Sequence, residues 1–164
     1  MHIFVDMDGT LNEFNKEASL EEVSSAGYFR NRPPFFNMVN AIKRLNKIGN
    51  NDIYILSSVF VDEHSIEDKN TWLDKYLPDI DRDHRIYVPY GYSKSKYIEN
   101  LGISSRKSIL IDDFTKNLND WPGIGIKYLN GINNTKKTWE GFVVNGKAKE
   151  DIIYKTLAGI ILIA

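Results

Sequence analysis

MHIFVDMDGT, residues 1–10, is a short apolar run that breaks straight into acid. Ile3-Phe4-Val5 is too short for a helix and suits a buried strand, and Asp6, Asp8 and Thr10 follow directly behind it. Outward from this stretch the same figure recurs. Ile53-Tyr54-Ile55-Leu56 ends in Ser57-Ser58, Ser108-Ile109-Leu110-Ile111 ends in Asp112-Asp113, and Ile86-Tyr87-Val88 and Ile124–Leu129 are two further strand candidates. Short β-branched runs of this kind are what strands of a parallel sheet, buried on both faces, look like.

Helical patterns lie between them. Phe35, Met38, Val39, Ile42 and Leu45 share one helical face and Gly49 stops the helix; Ile66, Leu73, Tyr76 and Leu77 mark a second before Pro78; Tyr97, Ile98 and Leu101 mark a third before Gly102. Strands alternating with helices predict an α/β fold, a three-layer α/β/α Rossmann-like parallel sheet. Residues from about 12 to 34 are too many for a simple connection and are expected to form a small helical cap inserted after the first strand. At 164 residues, the chain is expected to be a single domain, 1–164.

With 42% hydrophobic and 26% charged residues the composition is that of an ordinary globular protein, which excludes disordered and fibrous classes. Twenty-one basic against 22 acidic residues leave a net charge of −1 with no basic block, so no polymeric nucleic acid is expected as partner. The absence of cysteine excludes disulfides and thiolate metal sites and fits a cytoplasmic location. The N-terminal residues lack the basic segment of a signal peptide, and Leu157–Ala164 falls short of the ~20 residues that span a bilayer, so no membrane association is expected. That apolar end is expected to dock on the sheet, the alternative being a subunit contact within a homodimer.

Ligands of open α/β sheets bind beyond the carboxyl ends of the strands. The polar residues expected there are Asp6, Asp8, Thr10, Ser57, Ser58, Asp112 and Asp113, with Ser93, Lys94 and Lys96 shortly after the third strand. Crowded carboxylates call for a divalent cation, and oxygen-only ligands favour Mg2+ over zinc. Paired carboxylates, a hydroxyl and a lysine beside Mg2+ suit phosphoryl transfer, where in-line attack must be combined with neutralisation of the phosphoryl oxygens.

In this order the motifs resemble those of the haloacid dehalogenase (HAD) superfamily. DMDGT (6–10) is similar to its DxDxT motif, YILSS (54–58) to its strand-end hydroxyl, and SILIDD (108–113) to its acidic pair. Lys94 within YGYSKSKYIENLG stands for its lysine, with Lys96 as the alternative. Within the superfamily, DMDGTLNEF, YFRNRPPFF, VPYG, IDDFTKNLNDW and GIGIKYLNG resemble the 5'(3')-deoxyribonucleotidases over roughly residues 1–140, with Ser57 where that family often has threonine.

The resemblance implies a HAD-like fold and a Mg2+-dependent phosphomonoester hydrolase acting on a nucleoside monophosphate. Asp6 would be the nucleophile and Asp8 the acid and then base, with Ser57 and Lys94 on the phosphoryl group and Asp6, Asp8, Asp112 and Asp113 around the metal. Hydrolysis of another small phosphate, such as a sugar phosphate, and a non-catalytic phospho-accepting or binding domain are the alternatives. A receiver domain is opposed by motif order, since its acidic pair comes first. An EF-hand is opposed by the spacing after DMDGT.

Each residue also has a plainer reading. Ser57 suits a strand-end turn, Lys94 a helix start, and Asp113 an N-cap of the next segment. Among the aromatic residues near the cap, Phe14 and Phe29 are the candidates for substrate contact along with Thr10 and Ser58, against simple packing of the cap onto the core.

Overall fold

Strand β1 (His2–Val5) has a hydrogen-bonded neighbour on each side, β2 (Asp52–Val59) and β4 (Ser108–Asp112), which is why Ile3, Phe4 and Val5 have no solvent exposure at all. The computed structural model describes residues 1–49, 51–133 and 139–164. With β3 (Arg85–Pro89), β5 (Ile124–Leu129) and β6 (Phe142–Asn145) the strands form a six-stranded sheet in the order β3-β2-β1-β4-β5-β6, every pair parallel. The five expected strands are all present. β2 runs past its expected end to Val59, because β3 pairs with it from Ile55 to Val59, and Ser57 and Ser58 therefore lie inside the strand.

Alternation along the strands sorts side chains between two cores. Ile3, Val5, Ile53, Ile55, Ile109, Ile111, Ile126 and Tyr128 face α2 (Phe36–Lys47), α3 (Ser65–Tyr76) and α6 (Glu150–Ile163); Phe4, Leu56 and Leu110 face α4 (Lys94–Asn100) and α5 (Thr115–Asn119). Three layers result. The helical face expected from Met38, Val39, Ile42 and Leu45 is buried in the first core.

Two elements depart from expectation. β6 is an edge strand with only Val144 of its four residues buried, so it has no apolar run long enough to read. The C-terminal apolar end is the last part of a 14-residue helix, α6, whose Ile153, Leu157 and Ile160 dock at i, i+4 and i+7 into the first core while Leu162 and Ile163 stay exposed. Arg44 of α2 fastens α6 by pairing with Glu150 and Asp151 and by lying 3.9 Å over the Tyr154 ring.

Residues 12–34 leave and return at one point: Glu13 N donates to Pro33 O and Phe35 N to Leu11 O, at 2.9 and 2.8 Å. The excursion holds one helical turn, α1 (Leu20–Val23), with a capping box between Ser19 and Glu22 and no buried residue of its own. What holds it down is α3: Asp68 accepts from Gly27 N at 2.7 Å, Trp72 Nε1 donates to Arg32 O at 2.8 Å, and Phe29 packs on Lys69. Among the described residues no helix is long and apolar enough to cross a membrane.

Candidate active site

Beyond β1 the chain turns at once. Thr10, Leu11 and Asn12 all donate backbone N–H to Met7 O, and Met7 itself is sunk in the first core. This anchors the turn and leaves Asp6 and Asp8 on either side of it, each on a buried lysine. Gly9 closes the turn at φ +86°, and a Cβ there would collide with the Asp113 carboxylate, so the position requires glycine twice over.

Lys94 opens α4 and reaches the carboxyl ends of the central strands β1 and β4. Its Nζ lies 2.5 Å from Asp6 Oδ1 and 2.7 Å from Asp112 Oδ2, with the side chain 2% exposed. Lys96, two residues on, is exposed, so the helix start selects Lys94 as the lysine that reaches the carboxylates. Thr10 is fully buried with its hydroxyl 3.5 Å from Asp6 Oδ2.

Asp112, the last residue of β4, spends both carboxylate oxygens locally: Oδ1 accepts from Phe114 N, and Oδ2 from Lys94 and Asn117 Nδ2. The N-cap of α5 is Phe114, so the capping role expected of Asp113 is not seen; the carboxylate reaching back to the helix start is that of Asp112. Asp113 is half-buried and accepts from Asn130 Nδ2 at 2.9 Å.

Oxygens of Asp6, Asp112 and Asp113 lie within 4.8 Å of one another. Burial pushes the Asp6 carboxyl up to about 7, with Asp112 and Asp8 adding to the rise and Lys94 opposing it. Burial together with the charges of Asp112 and Asp6 also holds Asp113 well above the usual carboxylate range. For Lys94 burial acts downward, but Asp112 and Asp6 outweigh it and keep the ammonium protonated. Three converging carboxylates with one ammonium among them are an under-neutralised oxygen site, and hard oxygen donors of this kind fit Mg2+.

Asp8 carries the second lysine, one that sequence reading missed. Lys69 Nζ on α3 is wholly buried and lies 2.5 Å from Asp8 Oδ2, 2.8 Å from Ser57 Oγ and 2.6 Å from Ser58 O. Its signal was present: Lys69 stands three residues before Trp72, four before Leu73 and seven before Tyr76, on the buried stripe of α3. Ser57 is thus buried beside Lys69, while Ser58 touches the same lysine only through its carbonyl.

Asn130 was also missed. Past the end of β5 it donates to both Asp113 Oδ2 and Gly9 O at 2.9 Å, and Asn133 Nδ2 donates to Asp113 O at 2.8 Å. Only the run Asn130-Gly131-Ile132-Asn133, with turn residues past a strand, hinted at it.

The two candidate aromatics separate. Phe29 is 5% exposed, with its ring 4.4 Å from Lys69 Nζ and edge-on to Tyr28. Phe14 is half exposed and lines an open pocket with Glu13, Phe35, Asn130 and Ile132.

A family model described as "5' nucleotidase, deoxy (Pyrimidine), cytosolic type C protein" matches residues 20–155. The matched span takes in Ser57, Lys69, Lys94, Asp112, Asp113 and Asn130, while the DMDGT turn precedes it. No curated protein matches the chain.

Proposed function

The chain belongs to the deoxy (pyrimidine), cytosolic type C 5'-nucleotidase family, a family of phosphatases with a HAD-like fold, and from that premise we propose that it is a Mg2+-dependent 5'(3')-deoxyribonucleotidase acting through an aspartyl-phosphate. The observation that carries this is Lys94 bridging Asp6 and Asp112 at the carboxyl end of the sheet, with Asp8 and Asp113 alongside.

Asp6 is the nucleophile. Its carboxylate is oriented by Lys94 on one oxygen and Thr10 on the other, and it attacks phosphorus in line as the bond to the nucleoside oxygen breaks. Asp8 gives its proton to the departing oxygen and then takes one from the water that cleaves the acyl phosphate. The Ser57 hydroxyl and backbone N–H groups near Asp8 hold the phosphoryl oxygens, and Lys94 offsets their charge. Asp6, the main-chain carbonyl of Asp8 and Asp113 would hold Mg2+, which when bound keeps the carboxylates ionised and neutralises the phosphoryl group. Asp113 is the freer of the acidic pair: among the described residues no hydrogen bond reaches its Oδ1, whereas both oxygens of Asp112 are taken.

Residues 12–34 are the cap in this reading, and Phe14 meets the base, a role supported by its half-exposed ring on the open pocket with Asn130 and Ile132. The partner is a small nucleotide and the location the cytoplasm.

Phosphate release from deoxy- and ribonucleoside monophosphates and sugar phosphates, with Mg2+ or with EDTA, tests the assignment in wild type and Asp6→Asn. Metal-dependent release favouring deoxynucleotides and lost in the variant is expected. Release from sugar phosphates alone would keep the chemistry and discard the substrate; an active Asp6→Asn would discard the mechanism.

A further inference from the structure

Lys69 has more to do than fill a gap between a helix and a sheet. Burying an ammonium completely is costly unless each proton finds an acceptor. Here all three do: Asp8 Oδ2, Ser57 Oγ and Ser58 O, with the face of Phe29 closing the remaining side. The other oxygen of Asp8, Oδ1, is buried and has no partner among the described residues.

We infer that Lys69 is a positioning residue that fixes which oxygen of Asp8 works and which way the Ser57 hydroxyl donates, a step that rests on the nucleotidase reading above. Lys69 occupies Oδ2, so Oδ1 is the oxygen of Asp8 left to exchange a proton with the leaving group. As the phosphorus–oxygen bond breaks, its electron pair passes to the nucleoside oxygen, and that oxygen takes the Oδ1 proton while Oδ2 stays on Lys69. Ser57 Oγ, already accepting from Lys69, has its own proton left for a phosphoryl oxygen. The neighbouring Asp68 holds Gly27, and Phe29 lies on Lys69, so one turn of α3 ties residues 27–29 to the same proton-donating group.

Leaving-group dependence separates this role from a merely structural one. A nucleoside 5'-oxygen needs a proton to depart; nitrophenolate does not. General acid catalysis contributes about 10²–10⁴-fold, so Lys69→Met, checked for folding by circular dichroism, should lose about 100-fold or more in first-turnover cleavage of deoxynucleoside monophosphates. First-turnover release of nitrophenolate from p-nitrophenyl phosphate should fall far less. Equal loss on both esters, or no loss on either, would overturn the inference.

Wild type inactive on both esters would instead remove the nucleotidase reading beneath it. The chain has no cysteine, so Lys69→Cys can be aminoethylated selectively in denaturant and refolded, restoring an ammonium at the same reach. Recovery of nucleotide cleavage there, and not after alkylation with a neutral group of equal length, is the result expected; a folded aminoethylated protein that remains inactive on nucleotides but cleaves the nitrophenyl ester would count against it.

Discussion

The carboxylate of Asp113 occupies the space that a Cβ on Gly9 would need. Two segments more than a hundred residues apart in sequence are thereby in direct contact, and Asn130 seals the contact by donating to the Gly9 carbonyl and the Asp113 carboxylate together. A left-handed turn, an acidic pair and an asparagine form one unit.

Gly9→Ala should therefore fail for two separable reasons. A non-glycine residue at φ +86° costs about 1–3 kcal/mol, and the methyl group meets Asp113 besides. The melting temperature is expected to fall, and pairing with Asp113→Ala should recover the part due to collision but not the part due to the backbone. If the double variant is no more stable than Gly9→Ala, the contact is not what excludes a side chain.

Lys94→Met leaves Asp6 and Asp112 without their shared ammonium. Breaking a buried ion pair from one side costs about 3–5 kcal/mol, and loss of a charge aimed at the phosphoryl group costs about two to three orders of magnitude in kcat. Lys96→Ala, at an exposed position, should leave kcat within about twofold in the same phosphate-release assay.

Stability should depend on pH in a sense set by the raised carboxyls. Asp6 has a folded value of about 7 against its usual 3.8, and Asp113 also lies well above 3.8, so the folded chain keeps protons that the unfolded chain gives up. Their contribution to stability is full below about pH 4 and is lost as pH rises through about 7. A divalent cation acts in the opposite sense by favouring the ionised carboxylates. The rise in melting temperature on adding Mg2+ should be larger near pH 7.5 than near pH 5, and an equal rise at both would show that Mg2+ does not engage these groups.

Asn130→Ala should weaken the metal site without removing a ligand. Partners that orient a ligating carboxylate are worth about 10–100-fold in metal affinity. The Mg2+ concentration for half-maximal activity should rise by that order while kcat at saturating Mg2+ stays near wild type. A fall in kcat with unchanged Mg2+ dependence would mean that Asn130 serves the turn at Gly9 instead.

The sheet was largely legible because a parallel strand is buried on both faces and writes itself as an apolar run; β5 was read to the residue, Ile124–Leu129. β6 was not, since an edge strand with one buried residue leaves no run to read. Asp6, Asp8, Ser57 and Asp112-Asp113 were legible for a related reason: each stands at or near the carboxyl end of such a run, where the topology of an open sheet gathers polar groups.

Sequence alone thus determined five of the six strands, the helices α2, α3 and α4 and the carboxylates that converge, because periodicity and position along a strand are local properties. Only the tertiary structure decided between Lys94 and Lys96, seated Lys69 on Asp8 and Ser57, and bound Asn130 to Gly9 and Asp113. A long polar side chain reads as solvated until the acceptors that surround it are known. Those acceptors come from residues 61, 12 and 88 positions away, brought together by the packing of α3 and α4 against the sheet.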